Sequence, residues 1–165
     1  MATVTLRGKN IRIGGELPAA GSPAPDFILV DQRLDDKTLA DYKGRKKILV
    51  IVPSLDTPVC SASAKRFNEL LAGEDVTALL ISADLPFAMG RCCKGAGLNN
   101  VVPLSMMRSR RFARDYGVLM LDGPLAGITA RAVVVVDETD TVAYSELVKE
   151  ITHEPDYERA LAALR

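Results

Sequence analysis

Cysteine is scarce in this chain. Cys60, Cys92 and Cys93 are three among 165 residues, too few for a disulfide-held scaffold. Cys92 and Cys93 are adjacent, without the two-residue gap of a zinc site, and the single His153 lies far along the chain, so no metal centre is expected. Three thiols without scaffold or metal are either buried filler or redox chemistry. An excess of either charge is also missing: Lys plus Arg is 21 and Asp plus Glu is 21. Nothing in that balance favours a nucleic acid or a membrane surface as partner. Long hydrophobic runs are absent too. The longest, 48–52 and 132–136, fall far short of the roughly 20 residues of a membrane helix. The first ten residues hold no apolar signal core, which sets the expectation of a cytoplasmic protein. There is no repeat, linker or low-complexity tract, so residues 1–165 are expected to form a single domain.

What is present is an ordered alternation of patterns. Residues 4–13 read as a hairpin turning at Gly8-Lys9-Asn10, and 27–30 as a short strand. One helical turn is expected over 38–42, ended by Gly44. Residues 47–52 are apolar on both faces, as a central strand is. Helical spacing over 61–71 puts Ala64, Phe67, Leu70 and Leu71 on one face, with Gly73 as the stop. A second buried strand is expected over 76–81, and a helix from Pro86 to about Cys93, ending at Gly95 or Gly97. A short strand over 101–104 and a helix over 110–116, closed by Gly117, come next. Residues 132–136 and 142–147 read as an antiparallel pair, and 156–164 as the last helix. The order β-α-β-α-β, hairpin, α predicts an α/β fold with a mixed sheet and helices on both faces.

The chemistry concentrates between Pro53 and Cys60. This segment leaves a buried strand and enters a helix, where reactive groups gather in open α/β sheets. Cys60 falls in the first helical turn, whose free N–H groups and positive dipole end stabilise a thiolate. Thr57 can cap the helix and hydrogen-bond the sulfur. Pro53 and Pro58 stiffen the loop, and Pro53 would shield the sulfur from water. The plain alternative makes Thr57 an ordinary cap and Cys60 a small buried hydrophobe; the strand–loop–cysteine–helix context favours the reactive reading. Asp56 is expected to point away, because a carboxylate facing the sulfur would disfavour the thiolate. Arg131 stands just before the buried strand 132–136. It either meets an anionic partner or points off the sheet into solvent. The group Arg108, Arg110, Arg111 and Arg114 reads as a solvated helix face, His153 as a surface residue, and Met89, Met106, Met107 and Met120 as core or lining.

Pro53-x-x-x-Thr57-x-x-Cys60 resembles the active-site motif of the peroxiredoxins. Ser82-Ala-Asp-Leu-Pro-Phe-Ala88, Gly97-Leu-Asn-Asn100, Tyr116-Gly-Val118, Asp122-Gly-Pro-Leu125, Ala130-Arg-Ala-Val-Val-Val-Val-Asp137, Glu150-Ile-Thr152 and Glu154-Pro-Asp-Tyr157 resemble the bacterial thiol peroxidase subgroup, along essentially the whole chain. The resemblance implies a thioredoxin-like fold and reduction of hydroperoxides, with a leaning to organic ones, by an atypical two-cysteine cycle without a cofactor. It makes Cys60 the peroxidatic cysteine, Thr57 the residue that orients the peroxide, Arg131 the residue that binds thiolate and peroxide, and Cys93 the resolving cysteine. It further implies a homodimer recycled by thioredoxin. Cys92 departs from the pattern. Neighbouring helical residues point about 100° apart, so both cannot face Cys60 in one geometry. With the resolving role given to Cys93 by the resemblance, Cys92 is expected to pack in the core, and the Cys60–Cys93 bridge to require unwinding of residues 89–94 and of the turn after Cys60. Two other readings stay open. A general disulfide oxidoreductase would want a cysteine where Thr57 stands, and a redox-inert binding module would leave Cys60 as an unreactive buried thiol.

Overall fold

The computed structural model describes residues 2–165. The N-terminal hairpin pairs β1 (Thr3–Leu6) with β2 (Lys9–Gly14), and β8 (Leu119–Met120) extends it to a small three-stranded sheet. The turn is tighter than the sequence pattern indicates. It consists of Arg7 and Gly8, both with positive φ, and Leu6 already pairs with Lys9. This two-residue turn matches the right-handed twist of the strands, and its register brings Val4, Ile11 and Ile13 to one buried face.

The main sheet has seven strands: β3 (Ile28–Val30), β4 (Asp36–Thr38), β5 (Lys47–Ile51), β6 (Thr77–Ser82), β7 (Val101–Ser105), β9 (Ala132–Val136) and β10 (Val142–Leu147). Their order is β10-β9-β5-β6-β7-β3-β4. β5, β6 and β7 run parallel, and β9 runs antiparallel to β5. The helices are α1 (Pro58–Leu70), α2 (Pro86–Gly95), α3 (Arg111–Asp115) and α4 (Tyr157–Ala163), with a 3₁₀ turn at Leu39–Tyr42.

Side chains alternate across the central strands. Ile48, Val50, Ala78, Leu80, Val133 and Val135 face Ala64 and Phe67 of α1, Met89 and Cys93 of α2, and Ala160 of α4. Leu49, Ile51, Leu79, Ile81, Val134 and Val136 face Phe112 and Ala113 of α3 together with Phe27, Leu39 and Tyr42. The mixed sheet with helices on both faces and a leading hairpin is the thioredoxin-like architecture expected above. β4 and β8 carry no strand pattern of their own. Asp36-Lys37-Thr38 is polar and becomes a strand by pairing with β3, and β8 by pairing with β2, so tertiary pairing overrides local propensity in both.

Candidate active site

The central parallel strand β5 delivers the loop 52–57 at its C-terminal end, and α1 opens directly from it. Thr57 is the N-cap, in extended conformation, and its Oγ1 accepts the Cys60 N–H at 3.4 Å. Pro58 takes the first helical position, where its missing N–H costs nothing. The helix therefore begins three residues before the apolar periodicity that starts at 61. Capping chemistry, not the core-facing stripe, sets its start. Cys60 sits in this first turn with its side chain fully buried. Pro53 is buried, and Asp56 is exposed and turned outward as expected.

Arg131 reaches Cys60 through the antiparallel pairing of β9. Ala132, the first residue of β9, lies opposite Ile51, the last of β5. Arg131 is thereby brought to the end at which β5 runs into the cysteine loop. Arg131 as a residue is only 2 % exposed. Nη2 donates to the Cys60 sulfur at 3.2 Å and to the Ile151 carbonyl at 3.0 Å, and Nε donates to the same carbonyl at 3.1 Å. Of the two readings of Arg131 left open by the sequence, the buried one holds. A buried guanidinium requires such acceptors, and an anionic sulfur is a stronger acceptor than a neutral one. Nη1 is buried with no hydrogen-bond partner among the described residues.

The Ile151 carbonyl that aims Arg131 is itself held. The Ile151 N–H donates to Thr5 of the hairpin at 2.9 Å. Glu150 accepts the Gly8 N–H and the Thr5 hydroxyl at 3.0 Å through one oxygen, and the Thr152 N–H and hydroxyl at 2.9 Å through the other. These bonds, led by that from the Thr152 N–H, bring the Glu150 carboxyl down to about 2. Sequence reasoning assigned Glu150 no such part. The available signal is the spacing Glu150-x-Thr152, which closes a carboxylate onto its own chain two residues on. Asp84 was missed in the same way, although Ser82-x-Asp84 carries a similar signal. It accepts hydrogen bonds from Ser54 and Leu55 in the cysteine loop.

A cavity of about 730 Å³ opens beside Pro53, Thr57 and Arg131. Leu6, Ile11, Val59, Pro124, Leu125 and Ile151 form its apolar walls. An apolar cleft with the polar Thr57 and Arg131 on its wall has the make-up of a small-molecule site.

Cys93 does not join this constellation directly. All three thiols are free. Cys93 is buried in the same apolar cluster as Cys60, and Cys92 lies only partly buried at its margin. The expectation that Cys92 packs in the core thus holds only in part: it packs against the cluster but stays partly exposed. Pro86, Met89 and Cys93 form the inward stripe of α2, and Cys92 is one helical step off it. Burial, with a smaller contribution from neighbouring Cys92, pushes the Cys93 thiol up to about 11. His153 is exposed, and among the described residues no group of His, Cys, Asp and Glu could hold a metal ion. Among the described residues no helix is long and apolar enough to cross a membrane.

The family model described as Redoxin matches residues 19–161. A thiol peroxidase of Leptospira interrogans is 51% identical over 166 residues, covering 99% of this chain and 97% of that protein. A thiol peroxidase of Mycobacterium bovis is 50% identical over 164 residues, covering 99% of both. Among solved structures, a peroxiredoxin-like protein from Aquifex aeolicus superposes with a TM-score of 0.92 at 40% identity, covering 98% of this chain and 95% of that one.

Proposed function

Because the chain belongs to the redoxin family and is a peroxiredoxin-type peroxidase, we propose that Cys60 is its peroxidatic residue and that Thr57, Arg131 and Pro53 complete the site. The observation that carries this reading is the contact between Arg131 Nη2 and the Cys60 sulfur, next to an Nη1 with no partner among the described residues. The guanidinium and the first turn of α1 favour an anionic sulfur. The thiolate attacks one oxygen of the hydroperoxide as the O–O bond breaks. Cys60 becomes a sulfenic acid, and the departing oxygen leaves as an alcohol, or as water from hydrogen peroxide, once protonated. Negative charge grows on that oxygen, where Nη1 can receive it, joined by the Thr57 hydroxyl once it turns from the Ser54 carbonyl to which it donates at 3.1 Å.

Cys93 then condenses with the sulfenic acid to give a Cys60–Cys93 disulfide and water, and a dithiol such as thioredoxin returns both thiols while itself becoming a disulfide. Two observations support this division of labour. Cys93 lies in the same cluster as Cys60, and its burial holds it as a thiol until α2 loosens. Gly90 and Gly95 within α2 lower the cost of that loosening. The apolar cleft supports organic hydroperoxides as preferred substrates beside hydrogen peroxide. The reading takes the enzyme as a cytoplasmic homodimer. Peroxide consumption coupled to thioredoxin, thioredoxin reductase and NADPH tests it. Wild type should turn over, Cys60→Ser should not, and Cys93→Ser should stall after one equivalent. Full turnover of Cys93→Ser would remove Cys93 from the cycle.

A further inference from the structure

Asp84 stands between the two redox segments. It follows β6 and precedes Leu85 and Pro86, the N-cap and first residue of α2. Its carboxylate accepts the Ser54 hydroxyl at 2.7 Å on one oxygen, and the Leu55 N–H and Ser82 hydroxyl, both at 2.8 Å, on the other. Its own N–H donates to the Ser82 hydroxyl at 3.1 Å, and its carbonyl accepts the hydroxyl of Ser105, the last residue of β7. Asp84 is therefore pinned to the ends of two parallel strands and holds the cysteine loop by its side chain.

The bonds continue toward the sulfur. The Ser54 hydroxyl also accepts the Asp56 N–H at 3.1 Å. The Ser54 carbonyl accepts the Thr57 hydroxyl at 3.1 Å and the Thr57 N–H at 3.3 Å. Thr57 in turn caps Cys60. Asp84 touches neither the sulfur nor the cleft, yet three of the groups it bonds or reaches through Ser54 lie in the five residues ahead of Thr57. Bonds to a charged acceptor are stronger and more directional than neutral ones. Residues 53–57, Pro53 among them, lie in no strand or helix and have few other means of holding their shape.

We propose that Asp84 is a positioning residue for the peroxide step: its carboxylate fixes residues 53–57 in the geometry from which Thr57 and Pro53 present the peroxide to Cys60. The inference rests on the reading of Cys60 as the attacking residue. A displacement of about 1 Å in a reacting group can cost up to ~10²-fold in rate. Attack on a small electrophile such as iodoacetamide needs no peroxide orientation, so it should depend on Asp84 far less.

The test compares two second-order rates of Cys60 in Asp84→Ala, Asp84→Asn and Ser54→Ala, with hydroperoxide and with iodoacetamide, beside thermal melting. Asp84→Ala should lose roughly ten- to a hundredfold with peroxide while alkylation stays within a few-fold of wild type. Asp84→Asn, which keeps one carbonyl acceptor, should fall between. If Asp84→Ala fails to fold, Ser54→Ala decides: it removes one bond to the carboxylate and should lose roughly fivefold with peroxide alone. A folded Asp84→Ala, or failing that Ser54→Ala, with an unchanged ratio of the two rates overturns the proposal, whatever its melting temperature. Failure of the underlying reading is distinct from this, because wild type itself would then form no sulfenic acid at Cys60.

Discussion

The guanidinium of Arg131 lies 3.2 Å from the sulfur of Cys60, 71 residues away in the chain. The antiparallel register of β9 on β5 makes that meeting, and the Ile151 carbonyl fixes its angle. Arg131→Met should therefore slow sulfenic acid formation by about 10²–10³-fold, as removal of a transition-state donor does. Thr57→Val should act on the same step and leave the overall fold intact. Stopped-flow rates with hydroperoxide check both, and a wild-type rate in either variant removes that residue from the peroxide step.

Glu150 ties the segment carrying the Ile151 carbonyl to the N-terminal hairpin, and its folded value is brought from 4.5 to about 2. A lowered carboxylate contributes stability that is present above its unfolded value and lost as pH falls through its folded one. Glu150→Gln should accordingly melt lower than wild type at pH 7. The gap should narrow from about pH 4.5 downward and close near pH 2. A gap independent of pH would show that the charge contributes nothing.

The Cys93 thiol is raised from 9.0 to about 11, first by burial. A raised thiol stabilises the fold below pH 9, and that contribution is lost as pH rises through about 11. In the reduced native protein at pH 8, mass spectrometry after brief alkylation should find Cys92 labelled well ahead of Cys93. After one equivalent of peroxide, peptide mapping should find Cys60 joined to Cys93 and Cys92 free. A Cys60–Cys92 bridge would move the resolving role to the partly buried Cys92, and a bridge between two chains would end the intramolecular cycle.

The apolar cleft predicts a split between substrates. Leu125→Asp puts a charge on its wall and should raise KM for cumene hydroperoxide about tenfold, with little change for hydrogen peroxide. Equal effects on both peroxides would dissociate the cleft from substrate choice.

Most of the sheet was legible because its central strands are apolar on both faces and because α1 and α2 open with Pro and α3 is closed by Gly117. The cysteine loop was legible for a related reason: Pro53, Thr57 and Cys60 are close in sequence, and capping is local. Arg131 was half legible. Its place before a buried strand required either a partner or an exit to solvent, and only the β5–β9 register decides between them. Glu150 and Asp84 escaped because their partners, Gly8 and Thr5 or Ser54 and Leu55, lie far off in the chain. The positions of Cys92 and Cys93 on α2 depend on which stripe meets the sheet. Met89 and Cys93, four residues apart, share that stripe, a phase that adjacent cysteines alone do not reveal.

The central claim is that the Cys60 sulfur attacks the peroxide. Its most direct measurement uses the double variant Cys92→Ser/Cys93→Ser, treated with one equivalent of hydroperoxide in the presence of dimedone and mapped by mass spectrometry. The account predicts a single dimedone adduct on Cys60, formed as the peroxide disappears, and neither event when Cys60→Ser is added. Peroxide consumption that continues without Cys60, or an intact Cys60 thiol after the peroxide is gone, would contradict it.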